Sequence, residues 1–311
     1  MYDYSKCCFQ ESLRDLDKAF DNFFRGIKKG QRIGYPKFKS KKNEKHSFRV
    51  TGTIHVRNKY IQLPRLGKLK MHEENYIPED GKILSATVSK RTDKYFVSVQ
   101  VEVEVSEKIT SNEENKIVGI DLGIKELATC SNGLVFKNPR PYKKNLCKLK
   151  RFQRKHSRKQ KGSSNEKKSK YELQKLHYRI SNIRKDNIHK MTTALTKDKS
   201  IAIIVLEDLS NKNMMRNHTL AQSLADSSFG EIKRQFDYKC KRENKQLVVV
   251  DRFYPSSKTC SKCGTIKEDL ELSDRIFICS SCGLVIDRDY NASVNYPQLK
   301  QRASQSICLI T

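Results

Sequence analysis

The chain has 311 residues, 36% of them apolar and 32% charged, and its 63 Lys and Arg against 35 Asp and Glu give a formal net charge of +28. That length suits two or three modest cores. The excess of positive charge is larger than solubility needs and points to a polyanion, of which nucleic acid is the commonest. No run of 18 apolar residues exists and the charged N-terminus lacks a signal-peptide core, which excludes a membrane-spanning helix and leads to the expectation of a cytoplasmic protein with no membrane partner.

In chain order, residues 11–24 set Leu13, Leu16, Phe20 and Phe23 at helical spacing and predict a short amphipathic helix whose apolar stripe joins a core. The basic loop IKKGQRIGYPKFKSKKNEK follows. In it Tyr35, Lys37 and Lys39 suit stacking on bases and contact with a phosphate backbone, as they also suit a solvated loop. From 46 to 105 the apolar period changes to two. SFRVT, TIHVRNKYIQLP, KLKM, ILSATVS and YFVSVQVEVEV predict about five antiparallel strands of a small β-barrel, with hairpin turns at Asn58-Lys59 and Thr92-Asp93-Lys94. A polar linker, 106–116, leads to a three-strand meander: Ile117, Val118 and Ile120 running into Asp121, then Leu127–Thr129, then Leu134–Phe136.

Residues 140–185 hold 18 Lys and Arg and 2 Glu. Leu173, Leu176, Ile180, Ile183, Met191 and Leu195 keep a helical stripe, and KQKGSSNEKK breaks the stretch into a helix pair with one packed and one cationic face. Lys143, Lys144, Lys148, Lys150, Arg151, Arg154, Lys155 and Arg158 are the candidate phosphate contacts of that face. SIAIIVLEDLS is a continuous apolar strand ending on Glu207. SFGEIKRQFDYKCKREN is a helix with Phe229, Ile232 and Phe236 on one side, and QLVVVDRFYPSSKTC predicts a second buried strand.

That strand leads to Cys260-x2-Cys263 and Cys279-x2-Cys282, each pair followed by a glycine. Four thiolates so spaced can close a tetrahedron around Zn2+, and four protein ligands leave no position for water, so the metal is structural. The segment reads as a zinc ribbon. The other six cysteines show no spacing that carries chemistry.

Asp289 follows the clip directly, at the start of the predicted helix DYNASVN. Phosphodiester cleavage with paired divalent ions about 3.5–4 Å apart needs carboxylates on rigid elements, and Mg2+ prefers oxygen ligands. Asp121, Glu207 and Asp289 each emerge from an otherwise apolar element. Singly such an acid is ordinarily solvated or a helix cap; their joint placement on a meander, a strand and a helix is more specific.

GIDLGIKELATCSNG, IVLEDLSNKNMMRN, SFGEIKRQFDYK, YPSSKTCSKCG and CGLVIDRDYNAS resemble successive segments of the transposon-encoded TnpB (OrfB) family, which is related to type V CRISPR effector nucleases. The resemblance spans nearly the whole chain. It implies an α+β / α/β multidomain protein: a helical segment and small β-barrel, then an RNase H-like (RuvC) domain with an inserted zinc ribbon. The expected division is a partial helical recognition segment and basic loop at 1–45, a barrel at 46–105, a nuclease domain at 116–256 with the basic helix pair at 140–198, the ribbon at 257–285 and a last nuclease segment at 286–300.

By the same resemblance Asp121, Glu207 and Asp289 are the Mg2+-binding catalytic acids, with Asp287 as a secondary candidate for the third. The implied activity is an RNA-guided DNA endonuclease whose partners are DNA and a transposon-derived guide RNA. The alternative is a nuclease-inactive nucleic-acid-binding protein of the same family; the presence of all three acids favours the enzyme. Family members usually carry several dozen residues before the segment matching ESLRDLDKAFDNFF, so the first barrel strand and part of the recognition region are expected to be missing.

Overall fold

A computed structural model describes residues 6–37, 47–75, 77–78, 81–104, 116–251, 254–271 and 274–308, so Lys39 lies outside the described residues. The chain divides into two units, Met1–Ser106 and Glu107–Thr311.

In the first unit, alternating sequence becomes strands: β1 (Ser47–Val50), β2 (His55–Arg57), β3 (Tyr60–Leu63), β4 (Gly67–Lys70), β5 (Lys82–Arg91) and β6 (Lys94–Glu102), preceded by helix α1 (Lys6–Lys28). The two predicted hairpin turns form, with Asn58 (φ 49) and Thr92 (φ 59) in the left-handed region that tight hairpin turns favour. The strands pair antiparallel as two three-stranded sheets, β1-β5-β6 and β2-β3-β4. Val50, Ile61, Leu63, Ala86 and Val88, with Ile54, make one core that both sheets share. Among the described residues no ladder joins the sheets, so the expected barrel is a pair of sheets over a common core.

Helix α1 corrects a second expectation. Its apolar stripe is not core: Leu13 is 63% exposed and Leu16 50%, while Phe20 and Phe23 are half-buried with Tyr35 edge-on to both, at 5.6 and 5.3 Å. An amphipathic period fixes that the two faces differ, not that a surface exists to cover one of them. Here the two sheets bury their apolar faces against each other. What α1 buries is Gly26 and Glu11, the carboxylate of Glu11 lying 3.5 Å from the Arg49 guanidinium of β1.

The second unit is built on a five-stranded sheet of β7 (Lys116–Asp121), β8 (Glu126–Cys130), β9 (Val135–Lys137), β10 (Ile201–Glu207) and β11 (Gln246–Val250), in the order β11-β10-β7-β8-β9. The first three strands are the antiparallel meander; β10 runs parallel to both β7 and β11. β11 ends the sheet and is only half-buried, with Val249 39% exposed, because an edge strand has one neighbour; the fully buried strand expected there is not seen.

Helices α2 (Pro141–Ser157), α3 (Ser164–Lys197), α4 (Asn211–Met214), α5 (His218–Ser227) and α6 (Phe229–Arg242) complete this part. Ile188, Met191 and Leu195 of α3, Leu224 of α5 and Ile232 and Phe236 of α6 pack on one face of the sheet against Val118, Ile120, Ile204 and Leu206. The opposite face takes α7 (Arg288–Cys308), which follows the hairpin β12 (Ile276–Ile278) and β13 (Val285–Asp287). Strand alternation places Gly119 on that side. A Cβ there would collide with the Ser293 carbonyl oxygen and lie 2.6 Å from Pro297 Cδ, so glycine lets α7 approach the backbone of β7.

The basic stretch forms the expected helix pair around Leu149, Leu176 and Ile180. Arg140, the residue before α2, makes no side-chain cap. The buried Asp226 of α5 takes that role, accepting hydrogen bonds from the Tyr142 and Lys143 amides and pairing with Arg184 of α3 at 3.0 Å.

Candidate active site and zinc ribbon

Asp121 and Glu207 are the last residues of β7 and β10. These strands are parallel neighbours in register at Ile120 and Leu206, so the two carboxylates leave the sheet side by side. Both are half-buried. The apolar residues before each acid hold the strand in the core, and the acid falls where the core ends.

Between them stands Tyr296 of α7, 1% exposed. Its hydroxyl donates to Glu207 Oε2 at 3.1 Å, lies 3.4 Å from Asp121 Oδ1, and accepts from Ser256 Oγ at 3.1 Å. Burial and the charges of Asp121 and Glu207 keep this phenol protonated, well above its ordinary range, so it remains a donor.

Asp289 lies in the first turn of α7 and is also half-buried. Its charge reaches Asp121. Desolvation first, then the carboxylates of Asp289 and Glu207, push Asp121 from 3.8 up to about 7, against the Tyr296 hydrogen bond and Arg288. Desolvation also raises Glu207. Arg288 stands 3.3 Å from Asp289 Oδ1. Asp287 plays a different part. Its exposed Oδ1 accepts from the Asp289 and Tyr290 amides, both at 3.0 Å, and so caps α7. Asp121, Glu207 and Asp289 fit a divalent cation in their chemistry: they are half-buried carboxylate oxygens, and the charges of two of them raise the third, a cost that such an ion relieves.

The ribbon's two turns are alike. Gly264 N donates to the Cys260 carbonyl and Gly283 N to that of Cys279, with both glycines at positive φ, 79 and 70. Cys260 N and Cys279 N reach the carbonyls of Thr265 and Leu284, each at 2.9 Å. Cys260 and Cys282 sulfurs lie 3.6 Å apart and those of Cys263 and Cys279 3.5 Å. Zn–S bonds of about 2.3 Å give a tetrahedron with edges of about 3.8 Å, so the four thiols fit zinc with little change. Among the described residues they are the one group of three or more His, Cys, Asp or Glu whose ligand atoms all lie within 4.8 Å of one another. Leu270 and Phe277, with Leu284 and Ile286, form a small core beside them.

Helix α7 grips this ribbon through residues that the sequence did not single out. Asn291, fully buried, donates from Nδ2 to the Thr259 carbonyl at 2.7 Å and accepts at Oδ1 from the Ser261 amide at 3.0 Å, straddling Cys260. Asn295, one turn on, donates to the carbonyls of Ser256 and Thr259, and Gln298 to that of Ser261. Tyr290 ties the start of the helix to the Ser131 carbonyl at 3.3 Å. The spacing Asn291, Asn295, Tyr296 was the available signal, but its partners are backbone atoms and acids far away in sequence.

Lys143, Lys144, Lys148, Lys150, Arg151, Arg154, Lys155 and Arg158 are all exposed, on or just past α2. Lys148 and Arg151 lie 5.7 and 5.8 Å from the Phe152 ring centre, and Lys155 pairs with Glu172 at 3.0 Å. Tyr35, 66% exposed, and the exposed Lys37 belong to the first unit.

Two family models match the chain. OrfB_IS605, described as "Probable transposase", matches residues 98–218, and the Cas12f1-like TNB domain matches residues 229–296. Two similar relatives bear the name "Putative RNA-guided DNA endonuclease". One, from Streptomyces pristinaespiralis, is 36% identical over 92% of this chain and 69% of its own length; the other, InsQ of Escherichia coli (strain K12), is 35% identical over 92% and 72%. The CRISPR-associated endodeoxyribonuclease Cas12f1 of Sulfoacidibacillus thermotolerans is 23% identical over 70% of this chain and 53% of its own. A cryo-EM structure of a CRISPR-Cas12f ternary complex aligns over 86% of this chain and 66% of its own with a TM-score of 0.47 and 17% identity.

The fold and site define an α+β multidomain protein with paired strand-end carboxylates and a four-cysteine ribbon. Together with relatives at this identity and coverage, they place the chain plainly: it belongs to the transposon-encoded TnpB (OrfB) family, related to Cas12f.

Proposed function

We propose that this chain is a transposon-associated, RNA-guided DNA endonuclease that cuts with divalent cations held by Asp121, Glu207 and Asp289. The order β9-β8-β7-β10-β11, an antiparallel meander followed by two parallel strands, supports an RNase H-like (RuvC) domain with acids at strand ends. The names of the relatives support the RNA-guided activity, and the charge of +28 supports nucleic acid as the partner. The observation that carries the reading is the pairing of Asp121 and Glu207 at the ends of neighbouring parallel strands, under one shared Tyr296 hydroxyl and with the charge of Asp289 acting on Asp121.

In this reading β7 and β10 present Asp121 and Glu207 as one rigid pair, and α7 brings Asp289 to them from the ribbon. The bound Mg2+ would activate the attacking water and stabilise the leaving oxygen of the scissile phosphate. Arg288, 3.3 Å from Asp289 Oδ1, offsets part of the negative charge. The exposed cations of α2 would hold the backbone of the nucleic acid, while Zn2+ on Cys260, Cys263, Cys279 and Cys282 would keep the start of α7 in place. Asp287 serves as the helix cap and not as a ligand.

The test is cleavage of a plasmid matched to the copurifying RNA, in Mg2+, by the parent and by Asp121→Ala. The expected result is loss of cleavage with nucleic-acid affinity retained. Persistent cleavage would overturn the assignment, and equal loss of affinity and cleavage would give Asp121 a folding role only.

A further inference from the structure

The hydroxyl of Tyr296 is a second link between the ribbon and the acids, and it does not pass through Asp289. Ser256 lies where the chain leaves β11 for the ribbon, and two consecutive residues of α7 hold it. Asn295 Nδ2 donates to its carbonyl at 2.8 Å, and the Tyr296 oxygen accepts from its hydroxyl at 3.1 Å. With one lone-pair direction committed to Ser256, the phenolic proton is aimed at the carboxylates, at 3.1 Å from Glu207 and 3.4 Å from Asp121. The side chain is buried, and its Cβ packs where Gly119 leaves room, 3.0 Å from a would-be Cβ on that glycine. A carboxylate on a strand end has free χ rotation unless something holds it. One shared donor fixes an oxygen of Glu207 and orients that of Asp121, and the second oxygen of each carboxylate stays outside this hydrogen bond.

We infer that Tyr296 is a positioning residue, which through Ser256 locks the Glu207 and Asp121 carboxylates as a preformed divalent-cation site. This rests on the cation-dependent reading of the acids. Groups that orient metal ligands in this way are typically worth about 10–100-fold in metal affinity. A tyrosine that merely fills space would contribute stability and no affinity.

The experiment is a Mg2+ titration of the thermal midpoint of the full chain, for the parent, Asp121→Ala and Tyr296→Phe, with zinc content checked in each. Tyr296→Phe keeps the ring and removes only the hydroxyl. The expected result is that the parent midpoint rises with Mg2+, Asp121→Ala does not respond, and Tyr296→Phe needs about tenfold more Mg2+ for half of its rise. A lowered midpoint with the same half-rise concentration would overturn the inference and leave the acid reading standing. A parent that does not respond to Mg2+ would remove both. Should Tyr296→Phe fail to fold, Ser256→Ala is read by the same titration. It frees the phenol's orientation and is expected to shift the half-rise in the same direction by a smaller factor; an unchanged value there overturns the inference equally.

Discussion

Asp121 is half-buried beside Glu207 and within the field of Asp289, and its carboxyl is pushed from 3.8 up to about 7 by burial first and by those charges second. A folded-state pKa above the unfolded value means that the folded protein holds the proton more tightly. The stability so gained is fully present below about pH 4 and is lost as pH rises to about 7. Asp121→Asn cannot ionise and escapes that loss. In a chelator at about pH 8 it is expected to be more stable than the parent by about 2 kcal/mol, the full linkage figure being roughly halved because the side chain keeps some solvent contact. At about pH 4 the two should coincide. Urea denaturation at both pH values checks this, and equal stability at pH 8 would show that the acids do not repel. Asp287 and Asp289 separate in the same kind of measurement. Asp287→Ala removes the cap of α7 and is expected to cost about 1 kcal/mol while leaving cleavage intact below the melting range. Asp289→Ala is expected to abolish cleavage with a smaller effect on stability. The reverse pattern would exchange their roles.

Among the elements, α7 shows best what could be read in advance. The strand ends carrying Asp121 and Glu207 were legible because an apolar run followed by one acid marks where a buried strand meets water. The zinc turns were legible because spacing and glycine dictate them locally. Asn291, Asn295 and Tyr296 were not, since polar residues on a helix acquire meaning only from the backbone and acids that the fold brings beside them. The stripe of α1 misled for the complementary reason: a period carries no information on whether a covering surface exists. Gly119 belongs with the illegible group, its absent side chain explained only by the helix lying on it. Pro297 adds to that fit, as it has no N–H to give the Ser293 carbonyl, the oxygen that a Gly119 side chain would strike first. Gly119→Ala is expected to cost about 2–3 kcal/mol by overpacking and to move α7 off β7, weakening cleavage more than the uncut binding of DNA. Denaturation midpoints together with cleavage and binding assays read both; wild-type cleavage in a folded variant would show that the helix can shift without disturbing the acids.

At the scale of the whole molecule the dominant fact is charge. A net +28 over 311 residues gives sequence-independent attraction to nucleic acid, and the one-sided exposure of α2 concentrates it. Lys148, Arg151 and Arg154 are exposed and pack no core, so replacing all three with Ala should leave the melting temperature nearly unchanged. The slope of log affinity against log salt on duplex DNA should become shallower by about 2–3, close to one unit for each phosphate no longer neutralised. An unchanged slope would assign phosphate binding to another surface. The grip of Asn291 on both sides of Cys260 has a further consequence for a cell under oxidative stress. Peroxide that takes the thiolates would expel the zinc, relax the turn at Thr259 to Ser261, and slacken the helix two residues from Asp289. Treated protein should therefore lose cutting in step with zinc released into a colorimetric chelator while still shifting DNA on a gel. The ribbon would then behave as a fuse, blunting the blade before the hand that holds the strand lets go.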